Sequence, residues 1–112
     1  MWFGRKPAFR SMSMREAQRA LAQDQSIRLL DVRTDDEYHA GHIPGCQHLP
    51  LDRIAGIGAV VPDKDEQLFI YCLSGARSRM ACAQLARMGY TGVTDIGGIT
   101  QWPGELERTV GA

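Results

Sequence analysis

One junction constrains this chain more than any other: the run Gln67–Cys72 reads as a buried strand and passes almost at once into the alanine-rich helical pattern Ala76–Met88. Gly89 follows where a helix needs a left-handed residue to close it. A strand that turns so tightly into a helix is one half of a β-α-β unit, and the rest of the chain repeats the alternation. Phe9–Met12 reads as a short edge strand. Ser13 and Glu16 have capping-box spacing and open a helix that runs to about Gln23, with Met14, Ala17 and Leu21 on one face. Ile27–Val32 reads as a buried strand, Asp35–Tyr38 as a helical turn, and Gly41–Gly45 as a loop. Gln47–Leu49 is a short strand, and Leu51–Ile57 a helix or turn. Thr91–Ile96 is expected as a last strand, Gly97-Gly98 as a turn, and Ile99–Leu106 as a closing helix with Pro103 in or near its first turns. Strands alternating with helices imply an α/β fold, a parallel sheet of about five strands covered on both faces. In such sheets ligands bind beyond the carboxyl ends of the strands, where Arg33 and Cys72 fall.

The length of 112 residues allows one core and not two. Residues 1–8 are expected to form a loose leader and 9–112 a single domain. Thirteen basic side chains balance thirteen acidic ones, so no broad field of one sign exists to attract a nucleic acid or a membrane, and neither is expected as a partner. The longest apolar run, Ile54–Val61, is too short to span a bilayer. Cysteines 46, 72 and 82 form no Cys-x-x-Cys pair, and their odd number fits a reducing compartment, the cytoplasm. Histidines 39, 42 and 48 lack zinc-type spacing with paired thiols, so no metal is expected. Cys82, inside the expected helix, reads as core.

Cys72 carries the chemistry. A strand ending in cysteine aims the N–H groups of the following loop at the sulfur, and the helix start adds its partial positive charge. Arg77 can add a full charge, and all three favour thiolate over thiol. The result is an anion pocket with a nucleophile at its centre, which by itself suits phosphate, arsenate or sulfur chemistry.

Three separated segments narrow this. Leu30-Asp31-Val32-Arg33 precedes Glu37-Tyr38-His39-Ala40-Gly41-His42-Ile43-Pro44-Gly45, then comes Cys72-Leu73-Ser74-Gly75-Ala76-Arg77-Ser78, and Gly97-Gly98-Ile99-Thr100-Gln101-Trp102 closes the set. In this order and spacing they resemble the signatures of the rhodanese (sulfurtransferase) family. The resemblance implies the rhodanese-like three-layer sandwich and a Cys72 that attacks a sulfane sulfur and carries it as a persulfide. It implies a donor such as thiosulfate or a persulfide and an acceptor such as cyanide, a thiol or a protein, with no cofactor. Backbone N–H groups from Leu73 to Ser78 would hold the anion. Gly75 would supply a conformation closed to other residues. Arg77 would either grip the sulfite-like end of thiosulfate or stabilise the loop. Ser78 would donate to the sulfur or cap the helix.

Arg33 and Glu37, four apart, are expected as a pair that pins the loop after their strand, in preference to direct substrate contact at the pocket rim, with Arg33 lying near the pocket. Asp31 is expected to accept from loop backbone, and Trp102 to pack the closing segment onto the sheet. Two rivals stand beside this reading. The related dual-specificity phosphatases close the same junction with Cys-x5-Arg, whereas Cys72 and Arg77 are separated by four residues. The tighter ring suits one persulfide sulfur better than a tetrahedral phosphoryl or arsenate group. A non-enzymatic binding module is the other rival, although such domains typically lack the cysteine. Two positions depart from the family pattern. Leu73 stands where many members have arginine, which favours a persulfide donor over thiosulfate. Cys46 stands where alanine is common and reads as a small buried substitute rather than a second, resolving thiol.

Overall fold

The computed structural model describes residues 8–109. The leader expected over residues 1–8 therefore lies, apart from Ala8, outside the described residues. Five strands form one parallel sheet: β1 (Arg10–Ser11), β2 (Arg28–Asp31), β3 (Gln47–His48), β4 (Leu68–Cys72) and β5 (Val93–Gly98), in the spatial order β1-β5-β4-β2-β3. Three α-helices accompany them: α1 (Met14–Gln23), α2 (Asp35–Ala40) and α3 (Ala76–Arg87). A 3-10 helix covers Leu51–Ala59 and a 3-10 turn Ile99–Gln101. Among the described residues, no helix is long and apolar enough to cross a membrane.

β4 lies at the centre, and all five of its residues are buried. This is why it reads as a continuous apolar run: both of its faces are covered. Successive side chains point to opposite faces. Leu68, Ile70 and Cys72 join Leu30, Val32, Ile54, Ile57, Ala81 and Leu85 under α3 and the long 3-10 helix. Phe69 and Tyr71 join Leu29, Met14, Ala17, Ile43 and Ile96 under α1, with Trp102 packed against that cluster. The three-layer arrangement follows from this division.

α1 begins as its capping box requires. The Ser13 hydroxyl accepts the Glu16 N–H at 3.1 Å and the Glu16 carboxylate accepts the Ser13 N–H at 3.2 Å. α3 closes at Gly89, whose φ of +98° is the left-handed value that favours glycine.

The closing segment departs from expectation. Gly97 and Gly98 are the last residues of β5, paired with Tyr71 and Cys72, rather than a turn. The register slips at this point, Ile70 facing Asp95 while Tyr71 faces Gly97, so Ile96 is the extra residue of a bulge. The expected helix Ile99–Leu106 stops after the 3-10 turn at Gln101. Trp102 is extended (φ −69°, ψ 123°) because Pro103 follows it, and a residue before proline is driven out of the helical region. Pro103, expected in or near the first turns of that helix, instead ends the turn.

Candidate active site

β2 and β4 are neighbours, and each passes at its carboxyl end into a helix. The two connections lie side by side and are built in opposite ways.

Cys72 ends β4 and is 1% exposed. Its Sγ accepts the Gly75 N–H at 3.0 Å. Gly75 is the N-cap of α3, with φ +112° and ψ −17°, and no side chain caps the helix. With no cap to consume them, the first backbone donors of α3 stay available to an anion, and the positive end of the helix faces the same place. Leu73, Ser74 and Ala76 are exposed on the loop. Leu73 is among the few large apolar side chains turned to solvent.

The β2–α2 connection closes itself. Asp31, fully buried, accepts the backbone N–H of Arg33 at 2.9 Å and its guanidinium at 2.7 Å. Arg33 also donates to the Gly41 carbonyl at 2.6 Å. Thr34 caps α2, its hydroxyl accepting the Glu37 N–H while the Glu37 carboxylate accepts the Thr34 N–H at 3.0 Å. Arg33 and Glu37 thus do not pair with each other, contrary to expectation. Arg33 turns inward to a carboxylate two residues back, and Glu37 turns toward α3. Asp31 accepts loop backbone as expected and also neutralises Arg33.

A two-pronged ion pair joins the connections. Arg77 donates to both oxygens of Glu37, at 2.6 and 2.9 Å. The Arg77 guanidinium holds the Glu37 carboxyl down to about 2, with Thr34 adding to the effect and burial opposing it. Of the two roles open to Arg77, the geometry supports loop stabilisation, since both prongs of its fork are engaged.

Ser78 is fully buried and does not reach the sulfur. Its hydroxyl lies 2.7 Å from Asp95 Oδ1 and 3.0 Å from the Gly75 carbonyl. It does not cap the helix either, since the cap position belongs to Gly75. Two neighbours of the loop escaped sequence reasoning. Asp95, also buried, accepts both the Ser78 hydroxyl and the Gly97 N–H, at 2.9 Å for the latter. Its signal was a lone acid inside a buried strand. Gly98 lies directly under the loop: a Cβ there would strike the Leu73 carbonyl oxygen and sit 2.7 Å from the Ser74 Cα. Its signal was the Gly-Gly pair itself, read instead as a turn.

Two open clefts flank the loop. One, about 460 Å3, is lined by Val32, Thr34, Leu51, Arg53 and Arg77. The other, about 400 Å3, is lined by Met12, Met14, Ser74, Ile96 and Gly98. Cys72, buried, lines neither of them.

The remaining cysteines and histidines are occupied elsewhere. Cys46 is half-buried in the cluster under α1, its Sγ 3.5 Å from the Tyr71 hydroxyl, on the sheet face opposite to the Cys72 cluster. Burial pushes its thiol up to about 11, which leaves little thiolate. Cys82 is fully buried, and its thiol is likewise pushed up by burial. His42 and His48 stack on either side of Tyr38, with ring centres 4.0 and 4.4 Å away. Among the described residues no group of three His, Cys, Asp or Glu side chains is placed to hold a metal ion.

Comparison with known proteins gives a consistent picture. Residues 13–105 match the family model of the rhodanese-like domain. The chain is 33% identical over 97 residues to a putative sulfur carrier protein of Bacillus subtilis, YrkF, covering 86% of this chain and about half (52%) of that protein. It is 37% identical over 71 residues to the thiosulfate sulfurtransferase PspE of Escherichia coli, covering 62% of this chain and 68% of that one. A crystal structure of a rhodanese-like domain protein from Staphylococcus aureus superposes with a TM-score of 0.79 at 30% identity, over 89% of this chain and 98% of the other.

Proposed function

The chain belongs to the rhodanese-like sulfurtransferase family, and from that premise we propose that Cys72 is its sulfur-carrying nucleophile. The observation that carries this reading is the Gly75 N–H held 3.0 Å from the Cys72 sulfur at the uncapped start of α3. A thiolate there meets a donor and the positive end of a helix without needing a histidine as base.

In the first half-reaction the Cys72 thiolate attacks the outer sulfur of thiosulfate. The S–S bond to the sulfite sulfur breaks, and sulfite leaves with the bonding electron pair. Cys72 then holds a persulfide anion, whose single negative charge now sits on the outer sulfur, where the N–H groups of the loop can bind it. In the second, an acceptor such as cyanide attacks the outer sulfur, leaves as thiocyanate and returns the thiolate. A persulfide donor enters by the same attack, with its thiolate as leaving group. Leu73 gives the loop rim an apolar side chain, so a low-molecular-weight or protein-bound persulfide suits it better than the small dianion thiosulfate. Acceptors on this reading are cyanide, a thiol or a protein. Three unpaired cysteines suit work in a reducing compartment, the cytoplasm.

Intact-mass measurement after mixing with thiosulfate, and separately with glutathione persulfide, tests the proposal. Wild type is expected to gain one sulfur atom that cyanide removes, and Cys72→Ser to gain none. No uptake by wild type from either donor overturns the reaction. Uptake by Cys72→Ser equal to that of wild type overturns the site.

A further inference from the structure

Asp95 is a buried carboxylate with no cation among its hydrogen-bond partners in the described residues. Those partners are the Ser78 hydroxyl at 2.7 Å and the Gly97 N–H at 2.9 Å. Its backbone carbonyl accepts the Met12 N–H at 3.0 Å, just after β1. A buried polar group is costly unless it is hydrogen-bonded, and here the holding groups all belong to the frame of the sulfur loop. Ser78 is the third residue of α3, in the turn whose backbone donors face the anion site. Gly97 pairs with Tyr71, immediately before Cys72.

The hydroxyl of Ser78 has one proton and two acceptors within reach. The shorter contact goes to the Asp95 carboxyl oxygen, so the proton points to Asp95. The Gly75 carbonyl is already served by the Arg79 N–H at 3.2 Å. Asp95 therefore ties the first turn of α3 to the end of β5, and it keeps the Ser78 hydroxyl turned into the protein rather than toward the sulfur. On the other side of the loop, Arg77 and Glu37 tie the same turn to α2.

We propose that Asp95 is a positioning residue for sulfur transfer, acting through Ser78 to fix the α3 start, and with it the Gly75 N–H, against the Cys72 sulfur. The proposal rests on Cys72 being the carrier, but its geometry stands independently of the sulfur donor. Asp95 touches neither sulfur nor donor, so its removal should slow the chemical step and leave donor binding alone.

The experiment compares Asp95→Ala, Asp95→Asn, Ser78→Ala and the double variant Ser78→Ala/Asp95→Ala. Two readouts are taken on each folded protein: sulfur transfer from thiosulfate to cyanide, and the alkylation rate at Cys72 by iodoacetamide, followed by peptide mass. Asp95→Ala is expected to lower kcat about tenfold with KM unchanged, the size associated with small misplacements of reacting groups. Asp95→Asn keeps an oxygen acceptor for both donors and should return kcat to within about threefold of wild type. The double variant should be no slower than the slower single variant, because both substitutions cut the same link.

Unchanged kcat in a folded Asp95→Ala overturns the proposal, as do strictly multiplied losses in the double variant or a failure of Asn to restore the rate. Should Asp95→Ala not fold, Ser78→Ala and Asp95→Asn carry the comparison through their own kcat and KM. If wild type transfers no sulfur at all, the functional reading fails. The alkylation rates then judge Asp95 separately: a slower Cys72 in Asp95→Ala, restored by Asn, supports the positioning role, and equal rates overturn it.

Discussion

The connections β2–α2 and β4–α3 leave adjacent strands at the same edge of the sheet, and each opens a helix. In the first, Thr34 and Glu37 consume each other's backbone donors, and Asp31 absorbs the charge of Arg33. In the second, glycine replaces the cap, no side chain takes the donors, and one of them points at a sulfur. One connection is a finished structural piece and the other leaves its cap open. The contrast teaches that the Cys72 loop is set apart less by the groups added to it than by the cap that is missing.

Four substitutions probe that contrast. Gly98→Ala should have the largest effect. Its methyl group would collide with the backbone of Leu73 and Ser74, and a backbone clash cannot be relieved by a rotamer change. A loss of about 3 kcal/mol in denaturant unfolding, with sulfur uptake abolished, is expected. Gly75→Ala comes next, forcing a β-carbon into φ +112° at a cost of about 1–3 kcal/mol. Sulfur uptake at Cys72 should fall more than stability does, because the strained residue carries the N–H that meets the sulfur. An Ala variant that transfers sulfur as fast as wild type would remove the uncapped turn from the explanation.

Glu37→Gln tests the strut between the two connections. In the folded protein the Arg77 guanidinium holds the Glu37 carboxyl down to about 2, well below the ordinary glutamate range. Its ionised form therefore stabilises the fold fully above about pH 4.5, and this contribution drains away as the pH falls toward 2. Wild type should be more stable than Glu37→Gln at neutral pH by about 1–2 kcal/mol, a figure reduced for the solvent screening of a partly exposed pair. The two should converge near pH 2, as read by urea unfolding at stepped pH. A gap that does not change with pH would show that the pair contributes packing rather than charge. Leu73→Arg should have the smallest effect: it places an unpaired cation on the open connection, where the closed one has Arg33 sealed by Asp31. The expected result is a KM for thiosulfate lowered about threefold with kcat and stability unchanged, in line with the gain from one exposed charge.

The local parts of this architecture were legible in the sequence because they are set by neighbours in the chain. Ser13 and Glu16 announced α1, Gly89 announced the end of α3, and the unbroken apolar run of β4 announced a strand covered on both faces. Thr34 and Glu37 have the same spacing as Ser13 and Glu16, yet in sequence the helical turn reads as starting at Asp35 and Glu37 as pairing with Arg33. The signal was present, and α2 is too short for periodicity to reinforce it. Pro103 cut the expected closing helix short through a steric rule that acts on the residue before it. The partners of Arg77, Ser78 and Leu73 could not be read in this way. Glu37, Asp95 and Gly98 lie between 17 and 40 residues from the groups they meet. Such pairings belong to the packing of the sheet, and no local pattern encodes them. The expected Arg33–Glu37 pair failed for the same reason, since each side chain found a better-placed partner than its neighbour four residues away.

Every pairing in the sheet is parallel, and this has a consequence for how the protein reaches its working form. Parallel strands cannot close through a hairpin, so β4 must find β2 and β5 across long intervening chain. Contacts of that kind form late and slowly, because loop closure has to precede their gain. The sulfur loop leans on Glu37, Asp95 and Gly98, which arrive with α2 and β5 and not with β4. A nascent chain released just after α3 would hold Cys72 without the strand that braces its loop. The finished geometry around that sulfur is in this sense the last thing the fold delivers, and the burial of Cys72 during refolding would time the closure of the whole sheet.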